Sequence, residues 1–500
     1  MTPAAPPPAA APPPAAPPPP APVGGAGGHA GGAVGAGSVP WEQVVLVCAL
    51  VGTSQMTWGA LVPALPQYAL QFGATAVILG LIVSAFGLGR LLVNVPAGLL
   101  LQRVPARGLL LGVTGALAAL TLVTGFIDNV VLLVAARFVA GLLGGSAVTV
   151  GLAVLTQRTT PANRGSILST VQAVQLAGAA VGPVLGGVVL TFGTLPFVFV
   201  VAAIPLVLVI VWALLRPNPA FWSSEFVRDA PAAASGAGEA ARSDRSDRGA
   251  GTEAGAVVRV AKGAADARGA GEARDAGQAG VAGEARDAVE ARDAVEARDP
   301  GDARARRRVL VGVCVLAFGI FFVRFGGDQS LIPLLAYDRG GLTPLTLGLA
   351  YGLTTVISLA LLPWVGRRLN AGRRLGLLIV PTLLAAAAIC VYPFAQTPWF
   401  FGALIVATGV LSGVGSLVPG VILADVTPRS RVGGAVGVFR TVGDAGAVVG
   451  PLALGAVFDA LGVTWAVALL AAVSVAALLS FLALARPRRP RRPLRTAPAP

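Results

Sequence analysis

The chain has 500 residues, of which 55% are hydrophobic and only 12% are charged, and its mean hydropathy is +0.78. Soluble globular proteins carry about 25% charged residues, so this composition excludes an ordinary water-soluble fold and indicates that most of the chain lies in lipid. The net charge of +14 comes from arginines in short clusters between apolar runs, which is a membrane-topology pattern and not the basic face of a nucleic-acid-binding protein.

Residues 1–40 are almost entirely Pro, Ala and Gly and lack the basic start and apolar core of a signal peptide, so we expect a disordered cytoplasmic tail. Twelve apolar runs follow, each near the ~20 residues that a helix needs to cross the hydrocarbon core of a bilayer. Their approximate limits are 43–69, 77–101, 108–126, 130–155, 166–191, 196–215, 309–336, 344–366, 375–394, 399–424, 433–457 and 463–485.

The positions of the arginines predict the orientation of these runs. Alternate connections hold arginines such as Arg103, Arg158 and Arg367, whereas the connections between them hold hardly any, with Arg339 as an exception. Loops rich in Lys and Arg stay in the cytoplasm, so we expect both termini inside and a plasma-membrane location.

A charged segment, residues 217–308, separates the sixth run from the seventh. It repeats EARDAV-like units whose period does not keep one face of a helix aligned, and it has too few large apolar residues to form a core. We therefore expect a disordered cytoplasmic linker between two six-helix bundles, residues 41–216 and 309–486. Residues 487–500 are predicted to be a basic cytoplasmic tail.

The two bundles share ordered matches at a nearly constant offset of 267 to 270 residues, which indicates that a six-helix unit was duplicated in parallel. The matched positions are Pro63 and Pro333, Gly80 and Gly348, Pro161 and Pro428, Arg164 and Arg431, and Pro183 and Pro451.

The loop after the second run reads Gly98-Leu-Leu-Leu-Gln-Arg103-Val-Pro-Ala-Arg107 and resembles the signature G-x-L-x-D-R-x-G-R-[KR] of the major facilitator superfamily. Gln102 replaces the acid of that signature. The fourth run holds Arg137-Phe-Val-Ala-Gly-Leu-Leu-Gly-Gly, which is similar to the family's R-x-x-x-G-x-G element. In the family this arginine is a buried charge often linked to proton coupling.

The fifth run contains Gly178-Ala-Ala-Val-Gly182-Pro183-Val-Leu-Gly186-Gly187, which resembles the G-x-x-x-G-P-x-x-G-G core of drug and metabolite proton antiporters. Together these resemblances imply an all-α membrane protein with the fold of that superfamily, working by alternating access. Glycines four residues apart form a flat stripe for close packing, which serves structure, gating or both.

The deep charges carry most of the mechanistic information in the sequence. Each costs roughly 2.5 to 3.5 kcal/mol in hydrocarbon, so each needs a partner or a water-filled cavity. Arg324 with Asp328 and Arg440 with Asp444 are each four residues apart on one helix face. These pairs are either structural or a proton-coupling cluster in which an Asp is protonated and releases its Arg. The cluster that we expect comprises Asp328, Asp444, Arg324, Arg440 and Arg137.

Further polar residues complete the predicted site. We expect a substrate cavity, or contacts between helices, from Gln55, Thr57, Arg90, Asn94, Gln172, Gln175 and Gln329. We expect a gate and a moving helix from Gly98, Arg103, Arg107, Asp425, Arg431, Gly178, Gly182, Pro183, Gly186 and Gly187.

The leading hypothesis is proton-coupled efflux of a small organic compound or drug by a monomer in the lipid bilayer. The alternatives are a proton-coupled uptake symporter for a small metabolite and, more remotely, a membrane receptor. The single histidine, His29, lies in the tail, and no nucleotide loop or metal cluster is evident, so we predict no enzyme, no cofactor and no nucleic-acid partner.

The topology can be tested by labelling single engineered cysteines. Sites near Thr75, Asn129 and Thr194 should react with a membrane-impermeant reagent from outside intact cells. Sites near Arg103 and Gly249 should react only after permeabilisation. The reverse pattern would invalidate the predicted orientation.

Overall fold

A computed structural model of the chain describes residues 41–157, 164–222, 300–427 and 432–485. The predicted N-terminal tail, most of the predicted linker and the predicted C-terminal tail lie outside these residues.

The first half of the described chain is helical. Its helices are α1 Trp41–Gly59, α2 Leu61–Phe72, α3 Ala76–Leu100, α4 Ala106–Thr124, α5 Val130–Gln157, α6 Arg164–Phe192, α7 Leu195–Leu215 and the short α8 Pro219–Trp222. Helices α1 and α2 form one span that is interrupted at Ala60. Because α2 restarts at Leu61, Pro63 falls in a first turn, where its missing N–H leaves no helical hydrogen bond unmade.

The second half repeats this arrangement. Its elements are α9 Pro300–Phe321, a π-helix Phe322–Leu331, α10 Ile332–Asp338, α11 Pro344–Asn370, α12 Arg374–Ile389, a 3₁₀ turn Tyr392–Phe394, α13 Pro398–Val426, α14 Val432–Leu461 and α15 Val463–Ala485. Several helices begin after an extended threonine with proline in the first turn. At the start of α11 the Thr343 hydroxyl accepts a hydrogen bond from the Thr346 N–H, and the Thr346 hydroxyl accepts one from the Thr343 N–H. These two bonds form a capping box.

Within the described residues, twelve helical segments are long and apolar enough to cross a membrane. This confirms the predicted all-α membrane fold of twelve spans. The bounds differ by a few residues: the first span, predicted as 43–69, is Trp41–Phe72, and the seventh, predicted as 309–336, is Arg304–Asp338. The spans alternate in direction, so the bundle has two distinct ends.

We define the basic end as the one where Arg103, Arg107, Arg216, Arg367, Arg368, Arg373 and Arg374 lie. The opposite end carries the connections that hold Thr75, Asp128, Thr194, Asp338 and Thr397.

The halves meet through two equivalent helix pairs, α3 with α14 and α6 with α11. A Cβ added to Gly80 of α3 would collide with the Pro451 carbonyl of α14. The same relation joins Gly348 of α11 to the Pro183 carbonyl of α6. Gly80 and Gly348 are matched positions of the sequence repeat, and so are Pro183 and Pro451. The repeat therefore supplies both sides of a two-fold-related interface, in which only glycine permits the close approach.

The interface predicts opposite effects for two glycine-to-alanine substitutions. Gly80→Ala should destabilise the protein by about 1 to 3 kcal/mol, because the added methyl group meets backbone that cannot move independently. Gly112→Ala in α4 is the control, since its Cβ would meet nothing within 4 Å, and it should stabilise by about 0.5 to 1 kcal/mol. Thermal unfolding in detergent measures both, and equal effects would contradict the close packing.

Candidate functional site

A cavity of about 210 Å³ lies mainly within the second half and is closed on one side by helices of the first. Its wall comes from the π-helix, α9, α11, α12, α13 and α15 of the second half, and from α2 and α6 of the first. The cavity extends from Asp328 and Tyr351, near the middle of the bundle, toward Val365 and Leu417 on the side of the basic end. A solute could therefore occupy this space in the middle of the protein.

Three polar side chains reach the cavity from the π-helix: Arg324, Asp328 and Gln329. No salt bridge within 4 Å joins Arg324 to Asp328 among the described residues. In a π-helix the backbone bonds run from residue i to i+5, so side chains four apart do not stack as they do in an α-helix. The Oε1 atom of Gln329 is buried and has no described hydrogen-bond partner. The cavity thus offers a cation, an acid and an amide oxygen to a ligand.

Hydroxyl groups line the opposite wall of the cavity and are oriented by their own helices. The donors and their backbone acceptors are Thr354 to Ala350 at 2.9 Å, Thr355 to Tyr351 at 3.2 Å, Ser358 to Thr354 at 2.7 Å and Ser416 to Gly413 at 2.8 Å. Since each O–H is used within its helix, each oxygen presents lone pairs to the cavity. This wall favours a ligand that donates hydrogen bonds.

Asp444 lies outside the cavity, at the α3–α14 interface. Its Oδ1 is 3.3 Å from Arg90 Nη2, and its Oδ2 accepts a hydrogen bond of 2.8 Å from Asn94 Nδ2. The Asp444 side chain is only 3% exposed, whereas that of Arg90 is 21% exposed. Arg90 and Asn94 belong to the first half and Asp444 to the second. The predicted partner, Arg440, forms no salt bridge with it among the described residues, so the pairing differs from that expected from spacing.

Arg137 is buried among aromatic rings and does not join the other predicted members of the charge cluster. Its guanidinium carbon lies 5.3 Å from the Trp58 ring centroid and 5.6 Å from that of Phe86. Its Nε and Nη2 atoms have no hydrogen-bond partner among the described residues. Cation–π attraction therefore compensates part of the cost of burying this charge.

The aromatic stack continues from the first half into the second. Trp58 stacks on Phe86 at 4.2 Å and on Phe325 of the π-helix at 5.5 Å, measured between ring centroids. Arg90 lies over the other end of this stack, 5.8 Å from the Phe325 centroid. The stack thus links buried Arg137 and partly exposed Arg90 to the element that lines the cavity.

At the opposite end the two halves are held together by polar contacts. Asp459 of α14 accepts from the Ala76 and Val77 N–H groups at 3.0 and 2.9 Å. A carboxylate there satisfies two free donors of the first turn of α3 and complements the positive end of the helix dipole. The Tyr337 hydroxyl donates to the Pro63 carbonyl at 3.0 Å, also between the halves.

Toward the basic end the predicted gate residues bind within their own halves. Arg107 donates to the Ala213 carbonyl of α7 at 3.0 Å, and Asp425 pairs with Arg374. Arg103 is exposed, and a Cβ on Gly98 would meet nothing within 4 Å. Among the described gate residues, Arg107 and Asp425 therefore do not contact each other across the halves in this conformation.

The sequence model of the family described as Major Facilitator Superfamily matches residues 47–371 and 316–500 of this chain. The chain belongs to the major facilitator superfamily. Among curated proteins it is similar to the MFS-type transporter ppzB of Metarhizium rileyi, with 32% identity over 111 residues. That match covers 22% of this chain and 23% of the relative, so the chain matches about a quarter of that protein.

Solved transporters share the fold. A POT family transporter in complex with 5-aminolevulinic acid superposes with a TM-score of 0.64 at 13% identity, covering 89% of this chain and 96% of the other. A POT family transporter in complex with a thioalcohol-conjugated peptide gives 0.62 at 13% identity, covering 88% and 96%. At this identity the likeness shows the superfamily fold alone.

The glycine pattern that resembles the superfamily's antiporters serves two interfaces. The stripe of Gly178, Gly182 and Gly186 packs against α1 and α2 of its own half, and a Cβ on Gly178 would collide with the Gly52 carbonyl. Gly187 faces the other half, where a Cβ would collide with the Pro344 carbonyl. Pro183 itself lines the cavity. Helix α6 is therefore packed tightly on one side and borders the cavity and α11 on the other.

The remaining predicted cavity residues lie elsewhere. Gln55 and Thr57 are buried in α1, and Thr57 donates to the Ser54 carbonyl at 2.8 Å. Gln175 has a buried Nε2 without a described partner, but it is not among the cavity-lining residues. Arg431 and the side chain of Gln172 lie outside the described part of the chain. Of the six expected cavity residues whose side chains the structure describes, only Gln329 lines the cavity.

Sequence reasoning missed three features of this superfamily member. Tyr351 lines the cavity beside Asp328, Asp459 caps a helix of the other half, and Trp58 stacks across the interface. Tyr351 is one of only 4 tyrosines in the chain, so the rarity of an aromatic hydroxyl in an apolar run was a usable signal. Nothing in the sequence indicated that Asp459 would reach α3.

A double-mutant cycle tests the bridge between Arg90 and Asp444. Asp444→Asn should destabilise the protein by on the order of 2 to 4 kcal/mol, because Arg90 loses its anion in the interface. Arg90→Gln combined with Asp444→Asn should cost less than the sum of the single variants, which thermal unfolding would measure. Arg103→Gln, at an exposed arginine, is the control and should be neutral. Additive single effects would exclude a direct pair.

Proposed function

We propose that this superfamily member is a secondary active transporter that exports a small organic compound from the cytoplasm across the plasma membrane, in exchange for protons. The observation that carries the proposal is the cavity with Asp328 and Arg324 in its wall, in the middle of a twelve-span bundle. The family membership supports transport, and the cavity chemistry supports proton coupling and the identity of the coupling residues.

Asp328 is the proposed site where proton and substrate compete. It lines the cavity, and its carboxylate forms no salt bridge within 4 Å in the described part of the chain. A substrate with a cationic or hydrogen-bond-donating group that occupies the cavity replaces the proton at this carboxylate. Such mutual exclusion at one carboxylate is the requirement for antiport. The lone pairs of the hydroxyl wall would accept further donors of the same substrate.

Asp444 has a different proposed role, as a conformational bridge. Arg90 and Asn94 hold it from the other half, at a position displaced from the cavity. Protonation of Asp444 would remove the anion between the halves and weaken their contact along α3 and α14. In this scheme Asp328 senses the substrate, and Asp444 links protonation to the movement of the halves.

The direction of transport is proposed from the ends of the bundle. If the basic end faces the cytoplasm, as the positive-inside rule expects, both termini are cytoplasmic and the cavity is loaded from that side. Opening of the opposite end would require Asp459 to leave the start of α3 and Tyr337 to leave Pro63. The gate of Arg103, Arg107, Asp425 and Arg431 would then assemble at the basic end.

Uptake symport is the second candidate, and Arg324 is the observation that favours it. An anionic substrate would pair with Arg324 while Asp328 carries the proton, so both would move in the same direction. The charge of the substrate therefore separates the two candidates: cations favour exchange at Asp328, and anions favour cotransport beside Arg324.

The decisive experiment uses proteoliposomes with an imposed pH gradient and a panel in two arms. Organic cations, including ethidium and methylpyridinium, form the first arm, and organic anions, including malate and gluconate, form the second. Gradient-driven accumulation of a cation in inside-out vesicles supports export. Anion-driven proton entry from the outside supports symport. If folded protein transports no compound of either arm, the result would favour the receptor alternative.

Three carboxylate variants test the coupling. Asp328→Asn preserves side-chain volume but removes titration, so gradient-driven transport should fall to the level of empty liposomes. Substrate exchange, which needs no proton, should persist with a higher KM, because the amide oxygen still accepts a hydrogen bond but carries no charge. Asp444→Asn should slow gradient-driven transport and exchange together, because it acts on the bridge. Asp128→Asn, at an exposed residue that accepts from Gln71 at the opposite end, is the control and should match the parent.

Asp328→Asn leaves the Arg324 cation without the acid on its own helix, which should lower expression. The paired variant Asp328→Asn with Arg324→Gln also removes that cation, so expression should return to the parent level while proton-coupled transport stays absent. If both single Asp→Asn variants at 328 and 444 concentrate substrate as well as the parent does, the carboxylates are structural. The protein would then be a facilitator or be coupled elsewhere.

A further inference from the structure

The π-helix of the seventh span leaves one backbone carbonyl without a donor from its own helix. The Ile332 N–H donates to the Gly327 carbonyl, five residues earlier, and is therefore not available to Asp328. The next possible donor to Asp328 in the same register is residue 333, which is proline and has no N–H. The Asp328 carbonyl consequently has no helical partner at a position that lines the cavity.

Tyr351 supplies the missing donor from another helix. Its hydroxyl donates to the Asp328 carbonyl from α11, on the facing wall of the cavity. An unpaired carbonyl in a membrane interior is costly, so this bond favours the register that creates the unpaired group. Thr355 donates to the Tyr351 carbonyl at 3.2 Å within the same helix, next to this contact.

We infer that Tyr351 is a positioning residue, whose hydroxyl holds the π-helical register and thereby keeps Arg324, Asp328 and Gln329 directed into the cavity. Without that bond, nothing offsets the poorer geometry of the π register, and the segment shifts toward α-helical pairing, in which the Ile332 N–H turns to the Asp328 carbonyl and Pro333 leaves the Gln329 carbonyl unpaired instead. A shift of one residue in register rotates the side chains on one side of it away from the cavity. The consequence for transport rests on the proposed function, but the register itself does not.

The neighbouring residues Gln329 and Ser330 report the register without any substrate. Gln329 lines the cavity, whereas Ser330 is buried and does not line it. Single cysteines at these two positions, in a background with Cys48, Cys314 and Cys390 replaced by alanine, are labelled with a small charged methanethiosulfonate reagent in detergent. In the parent register, the cysteine at 329 should react faster than the cysteine at 330.

Tyr351→Phe should reduce this preference for position 329 by about tenfold, because it removes only the hydroxyl that satisfies the Asp328 carbonyl. Thr355→Val is the matched control: it removes a hydroxyl from the same helix and cavity that bonds only within its own helix, so the preference should stay unchanged.

The two cysteines also separate a shift in register from a general packing defect at Tyr351. A shift in register lowers the reactivity of the cysteine at 329 while raising that of the cysteine at 330, whereas loosened packing raises the reactivity of both.

Two results would overturn the inference. One is an unchanged preference in Tyr351→Phe, and the other is a preference that is lost because both cysteines become more reactive. Either result leaves the proposed function standing, because the labelling requires neither a substrate nor a pH gradient. Conversely, the expected change of preference in a protein that transports nothing would support the positioning role and contradict the proposed function.

Discussion

Polar groups in a membrane interior must find partners within the protein, and this requirement governs the arrangement of the whole bundle. The deep charges meet it in three ways. Asp444 is paired across the interface, Arg137 lies against aromatic rings, and Arg324 with Asp328 borders a cavity. The first arrangement joins the two halves, whereas the second lies within the first half. Of these three arrangements in the described part of the chain, only the third places a cation and an acid in the wall of a cavity, which is why we propose Arg324 and Asp328 as the functional charges.

The conformation follows from the distribution of contacts along the interface. Polar contacts and the close approach of Gly80 to Pro451 join the halves at the opposite end, whereas Arg107 and Asp425 remain within their own halves toward the basic end. Gln102 stands where the superfamily signature has an acid, so the basic end lacks one anion for a lock. Asp459 provides an anion at the other end. We infer that this placement of acids favours the conformation whose cavity faces the basic end.

The fold could be predicted from the sequence because the features that determine it are patterns of residues close together along the chain. Runs of about 20 apolar residues define spans, and the repeated glycines and prolines define the duplication. The site could be predicted only in part. Spacing puts Arg440 near Asp444 on one helix, but Arg90 reaches the same acid from another helix, which no helical period reveals. Likewise, the directions of the Arg324 and Asp328 side chains depend on the π-helical register. If the segment is assumed to be an α-helix, the spacing of four predicts an ion pair, and that ion pair does not form.

The two matched prolines show why duplication of sequence does not imply duplication of chemistry. In the first half α2 begins at Leu61, so Pro63 lies in the first turn of a helix, where an N–H has no helical acceptor. In the second half the helix continues past Pro333, and the gap appears at the Asp328 carbonyl. A tyrosine then approaches from α11 to fill it. The two matched prolines therefore lie in different backbone settings, and the second one follows directly on the π-helix that lines the cavity.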